Sequence, residues 1–154
     1  MIRYVLAVVL TAAILATAMP AVDHGSTLKT EQDVESEIAT IEAAATSLVE
    51  NEQLPKEEQD GPRRTVEVDL PDGGFIEDPL DRLVFARVPD TNRTRVRYRV
   101  DGQPEQVTFV DAPVVHADGG NLELTGGPGT EKLTLELVPD AAGNPVVEVE
   151  NDFR

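Results

Sequence analysis

The chain has no cysteine and no tryptophan, only four phenylalanines and two tyrosines, and three lysines beside ten arginines. Without cysteine there is neither a disulfide framework nor a thiol-ligated metal, so any folded domain must hold together by packing alone. With so little aromatic mass, that packing has to come from Val, Leu, Ile and Ala. The three serines, Ser26, Ser36 and Ser47, all precede residue 62, which leaves the C-terminal part without a Ser or Cys nucleophile for acyl-transfer chemistry. Basic residues are scarce as well. At a formal net charge of −16, most of the surface repels phosphate, which excludes nucleic acid as a partner. No glycine-rich loop stands between a strand pattern and a helix pattern, so nucleotide binding has no support. These absences favour a non-enzymatic protein with no cofactor, no resident metal and no small-molecule substrate.

What is present begins with an apolar run. Tyr4 to Val22 contains no charged residue, Arg3 is the only charged side chain before it, and all 29 Asp and Glu follow it. As a helix, nineteen residues rise about 28 Å, near the thickness of bilayer hydrocarbon. The run therefore predicts a transmembrane signal-anchor over residues 1–22, held in the membrane through residues 4–22. By the positive-inside rule the N-terminus would be cytoplasmic and the C-terminal domain extracellular. Ala16-Thr17-Ala18 is an acceptable signal-peptidase site, so secretion after cleavage of residues 1–18 is the alternative.

A second helical pattern follows, within residues 23–52. Val34, Ile38, Ile41, Ala45 and Leu48 recur at spacings of four and three, which places them on one face with the glutamates elsewhere. Ser26 or Thr27 could cap this helix at its start. The seam predicts packing either on the protein's own sheet or against a partner or second copy, and two heptads are too few to distinguish these. Residues 53–62 read as an acidic linker. From 63 to 154, alternating strands are punctuated by turn clusters such as Pro71-Asp72-Gly73-Gly74 and Asp118-Gly119-Gly120-Asn121. The expected fold class is therefore α+β, a transmembrane helix and an amphipathic helix followed by a small antiparallel β domain, either a sandwich or a twisted sheet.

The clearest hairpin pairs Thr94–Val100 with Glu105–Asp111. Placing Val100 opposite Glu105 sets Tyr98 against Val107 and Val96 against Phe109, so that the apolar faces coincide. The opposite face then carries Arg95, Arg97 and Arg99, with Arg93 at its base. This arginine stripe could dock a carboxylate-rich partner, a phosphate or an anionic polymer, or it could be laddered internally against Glu67 and Asp69. His116 has no second histidine nearby and reads as a strand end, and Asp118-Gly119-Gly120-Asn121 reads as a turn because the alternating Asp ladder of a calcium loop is missing. Asn92-Arg93-Thr94 is an N-glycosylation sequon in a predicted turn.

The order of parts, a short positive N-terminus, an apolar helix running toward an amphipathic one and then a small antiparallel domain, resembles the type IV pilin plan. In that family a peptidase cleaves just before the apolar stretch and a glutamate five residues into the mature helix aids assembly. Here only Met1-Ile2-Arg3 precede the stretch, and no acid occurs before Asp23. The acidic, lysine-poor composition resembles proteins of extremely halophilic archaea, in which high salt screens self-repulsion. From its Met-Ile-Arg start to its Leu-x-Leu-x-Leu and Val-Val-x-Val strands, the chain is similar to short haloarchaeal membrane proteins. These resemblances imply a pilin-like accessory subunit of a surface pilus or secretion assembly. The alternative is a secreted or anchored binding module that uses the arginine-lined sheet face.

Overall fold

The computed structural model describes residues 2–56, 59–74 and 77–151, and within the helix it describes the side chains at 7–14 and from 25 onward. One helix, α1 (Ile2–Asn51), is followed by eight strands: β1 (Arg63–Val68), β2 (Leu80–Arg87), β3 (Thr94–Val100), β4 (Gln106–Val110), β5 (Val114–His116), β6 (Leu122–Leu124), β7 (Glu131–Pro139) and β8 (Pro145–Asn151). They form two four-stranded sheets. Sheet A has the order β1-β7-β8-β5 and sheet B the order β4-β3-β2-β6. The strands expected to be antiparallel are so except for one pair, β5 with β8, which run parallel.

The sheets approach each other along β5, β6 and β2, and α1 packs chiefly against β1, β7, β8 and β3. The seam Val34, Ile38, Ile41, Ala45 and Leu48 is buried in the common core, where it meets Leu133, Leu135, Leu137, Val147 and Val149 of sheet A and Leu83, Phe85, Val96 and Leu122 of sheet B. These five residues are thus consumed by the chain's own sheets, and a partner would have to be met elsewhere. The helix is the third element of the core.

Two expectations for the N-terminal region are corrected. The chain does not form a transmembrane helix followed by a separate amphipathic one; α1 is continuous from Ile2 to Asn51. Ser26 and Thr27 do not cap a helix start. Their hydroxyls donate to the two carboxylate oxygens of Asp78 at 3.1 and 2.6 Å, while Thr30 Oγ1, fully buried, bonds both the carbonyl and the N–H of Asp78. Lys29 reaches the neighbouring Glu77 and also Asp33. A polar stretch that looked like a helix boundary is therefore the clamp that fastens α1 to the β domain.

The second correction concerns the single-pass anchor and the extracellular placement that followed from it. No helix among the described residues is long and apolar enough to cross a membrane. The side chains at 4–6 and 15–22, which make up much of the apolar run and include the cleavage motif at 16–18, lie outside the described ones. From Gly25 onward the helix carries Lys29, Glu31, Asp33, Glu35 and Glu37 and lies against the sandwich.

Two glycines show why the connections run so close to the sheets. A Cβ on Gly126 would lie 2.0 Å from the carbonyl oxygen of Pro71, and one on Gly61 would lie 2.1 Å from that of Leu137. In both places two backbones pass at a separation that only glycine permits.

Candidate functional site

The β3–β4 hairpin forms, but its register differs by one residue from the expectation. Val96 faces Thr108 and Tyr98 faces Gln106, while Arg95 faces Phe109 and Arg97 faces Val107. The hairpin considered alone favours maximal apolar pairing. The folded chain instead inserts Val110, Ala112 and Val114 into the core as it passes from sheet B to sheet A, each at 0% exposure. Full burial of a valine contributes about 1.5–3 kcal/mol, so this crossover outweighs two cross-strand contacts. Thr94 fixes the crossover: its buried hydroxyl donates to the Ala112 carbonyl at 2.7 Å and accepts from the Val114 N–H at 2.8 Å.

The shifted register moves Phe109 and Val107 to the outer face of sheet B, where they are 49% and 55% exposed beside the arginines. Sequence reasoning missed both for that reason. On β2, Arg82 lies opposite Arg99, Val84 opposite Arg97 and Ala86 opposite Arg95. Val84 and Ala86 are buried although they point outward, which fits cover by the aliphatic stems of the arginines.

The arginines differ in how they are paired. Arg93 Nε donates to Asp111 at 2.7 Å, and its guanidinium sits 5.4 Å above the Phe109 ring. Arg99 is held by Asp81 at 2.8 Å and Arg82 by Glu105 at 2.7 Å, all at the periphery of the face. Arg95 is exposed and Arg97 half-buried, and neither forms an ion pair among the described residues. Arg97 Nε is shielded from solvent with no acceptor. The internal ladder with Glu67 and Asp69 does not form, because β1 belongs to the other sheet; Glu67 lies 3.6 Å from Lys132, its cross-strand neighbour. The centre of the stripe is an unpaired cationic strip flanked by exposed apolar side chains.

On the inner side of the same strand, Tyr98 donates its hydroxyl to Glu35 of α1 at 3.3 Å. Burial, reinforced by the negative charges of Glu35 and Glu31, pushes that phenol up to about 12. It therefore remains a neutral donor tying helix to sheet. Glu42 adds a second tie by accepting the Asp111 N–H at 2.9 Å.

Asn92 stands exposed in the β2–β3 turn, where Asp90 adopts a left-handed φ of 59°. The sequon's third residue, however, is Thr94, whose hydroxyl is locked in the core in the folded chain. Any transfer to Asn92 that uses this hydroxyl must precede folding. Asn92 also lines a cleft of about 680 Å³ with Arg87, Asp90, Asn121, Asp140 and Asn144, formed by the loops at one end of the sandwich. Arg87 and Asp140 pair there at 2.9 Å, and the Asp140 carboxyl is held down at about 2, first by the Asn144 N–H and then by Arg87. His116 and Asp118 meet at 2.9 Å beside this end, and Asp118 accepts the Gly120 N–H at 2.8 Å, which makes the segment a closed turn. Among the described residues no group of three His, Cys, Asp or Glu side chains is arranged to hold a metal ion.

A family model described as Domain of unknown function (DUF7311) matches residues 1–152, and the chain belongs to that family. No curated protein and no solved structure matches the chain.

Proposed function

We propose that this DUF7311 member is a non-enzymatic interaction protein that docks an acidic protein surface on the outer face of sheet B. The observation that carries the reading is the unpaired pair Arg95 and Arg97 set between exposed Phe109 and Val107 in a chain of net charge −16. Arginines with apolar neighbours are the composition enriched at protein contact centres, and a guanidinium fork gives a carboxylate two directed bonds. The exposed Phe109 and Val107 beside the arginines favour a protein surface, which can bury apolar area, over a phosphate or polyanion, which cannot.

The test is a photo-crosslinking residue placed at Val107 of the full chain in its own cells, with the same residue at exposed Ala141 as control. Protein adducts are expected from position 107 and not from 141, and they should vanish when Arg95, Arg97 and Arg99 are replaced by Gln. Equal adducts from both positions, or none from 107, would sink the reading. A second mode of assembly is favoured by a separate observation. Val8, Val9, Leu10 and Ile14 of α1 are 58–69% exposed, so helix-to-helix packing of the pilin-like kind would bury them.

A further inference from the structure

We propose that the surface docked by the arginine face is the outer face of sheet A of a second copy of the same chain, giving head-to-tail self-association. This rests on the docking reading above and names its partner. Sheet A turns Glu136, Glu148, Glu150 and Thr134 outward, since Leu133, Leu135, Leu137, Val147 and Val149 of the same strands face the core. Glu136 lies directly across from Glu148 and is held by Arg63 at 2.9 Å on its other side. Glu148 is half-buried and Glu150 exposed, and neither has a cation within ion-pair distance among the described residues. Burial and the neighbouring Glu136 push the Glu148 carboxyl above its ordinary range, as expected for an acid that lacks a counter-ion.

The two faces match in three respects. Arg95 and Arg97 repeat every second residue along β3, and Glu148 and Glu150 do the same along β8, so both charge rows advance by about 6.6–6.8 Å. The sheet B row is flanked by the exposed Phe109 and Val107, and the sheet A row continues into half-buried Val138, whose cross-strand partner Val146 is buried. Finally, the two faces lie on opposite sides of one sandwich. A contact between unlike faces does not close on itself as a two-fold dimer does, so copies add head to tail, into an open string or, where the rotation closes, a ring.

Strand spacing gives each face about 15 Å by 20 Å, which places the contact in the small class, below about 1,200 Å² of total buried surface. Association should therefore be weak and should become visible at about a hundred micromolar or above.

The experiment is sedimentation velocity of the full chain from ten micromolar to one millimolar (about a hundredfold range) with two double variants, R95Q/R97Q and E148Q/E150Q. The wild-type chain should form a concentration-dependent series of species. Each variant alone should remain monomeric, and an equimolar mixture should form a two-copy complex that does not grow, because only one intact face of each kind is left. Association that persists in either variant alone would place the contact elsewhere, the exposed helix end included, and overturn the proposal. A wild-type chain that stays monomeric throughout would also overturn it, and adducts from position 107 to other acidic proteins would then leave the docking reading standing. Loss of those adducts altogether would remove both.

Discussion

The outer faces of the two sheets carry similar charged residues but dispose of them in opposite ways. On sheet A, opposite charges face one another across strands: Arg63 lies against Glu136, and Lys132 against Glu67. On sheet B, three arginines share one strand, and the two central ones face Val84, Ala86, Val107 and Phe109 instead of carboxylates. Alternation along a strand decides which residues share a face, whereas the neighbouring strand decides whether a charge on that face is neutralised. Sheet A is largely closed by its own register, with Glu148 and Glu150 as its residue of unmatched charge. Sheet B is left open at its centre.

The comparison breaks most severely where the two sheets share a core. Phe85→Ala removes a fully buried ring and should cost about 3–5 kcal/mol, with both sheets melting in a single calorimetric transition. Two separate transitions would show that the sheets are independent units. Thr94→Val keeps the shape of the side chain but strands the Ala112 carbonyl and the Val114 N–H, so urea unfolding should show a loss of about 1–3 kcal/mol. If the loss is negligible, the crossover is not what sets the β3–β4 register.

The pH dependence separates the two kinds of carboxylate. Asp140 has its pKa lowered to about 2, so its stabilisation is complete above its ordinary value of 3.8 and is lost as the pH falls toward 2. Asp140→Asn should lower the melting temperature at pH 7, and the gap from the wild-type chain should close near pH 2. Glu148 behaves in the opposite sense. Its raised pKa means that ionisation opposes folding, so Glu148→Gln should raise the melting temperature at pH 7, with the gain shrinking as the pH falls through the carboxylate range. Solvent screening keeps that gain under about 1 kcal/mol. The smallest effect belongs to the centre of sheet B: replacing Arg95 and Arg97 by Gln, which keeps part of each stem over Val84 and Ala86, should shift stability by no more than about 0.5 kcal/mol, since neither pairs inside the chain. A large loss there would mean that the stripe is structural and not a contact surface.

The helix seam, the Leu-x-Leu-x-Leu alternation of Leu133, Leu135 and Leu137, and the turn clusters around Gly73 and Gly119 were legible because each is a local period or a local φ requirement. Gly73 and Gly119 do adopt positive φ, at 85° and 82°. The arginine stripe was legible for the same reason. Its apolar companions were not, because a hairpin viewed alone does not show that Val110, Ala112 and Val114 have a core waiting for them. Likewise, Ser26 and Thr27 carry a capping signature, and only the fold brings Asp78 to their hydroxyls, and to that of Thr30, across about fifty residues of chain.

By itself, the sequence determined that the chain would hold an aliphatic core without disulfides, that its surface would be acidic, and that arginines would line one face of one strand. Those outcomes depend on composition and on periods of two and 3.6 residues, which a chain carries wherever it goes. The tertiary structure decided the rest: that α1 is one helix clamped by Asp78, that β5 pairs with β8 in parallel, and that Phe109 joins the arginines outside. Each of these depends on which distant residues become neighbours, and burial of apolar surface shared by two sheets and a helix sets that arrangement more strongly than any single pair of strands.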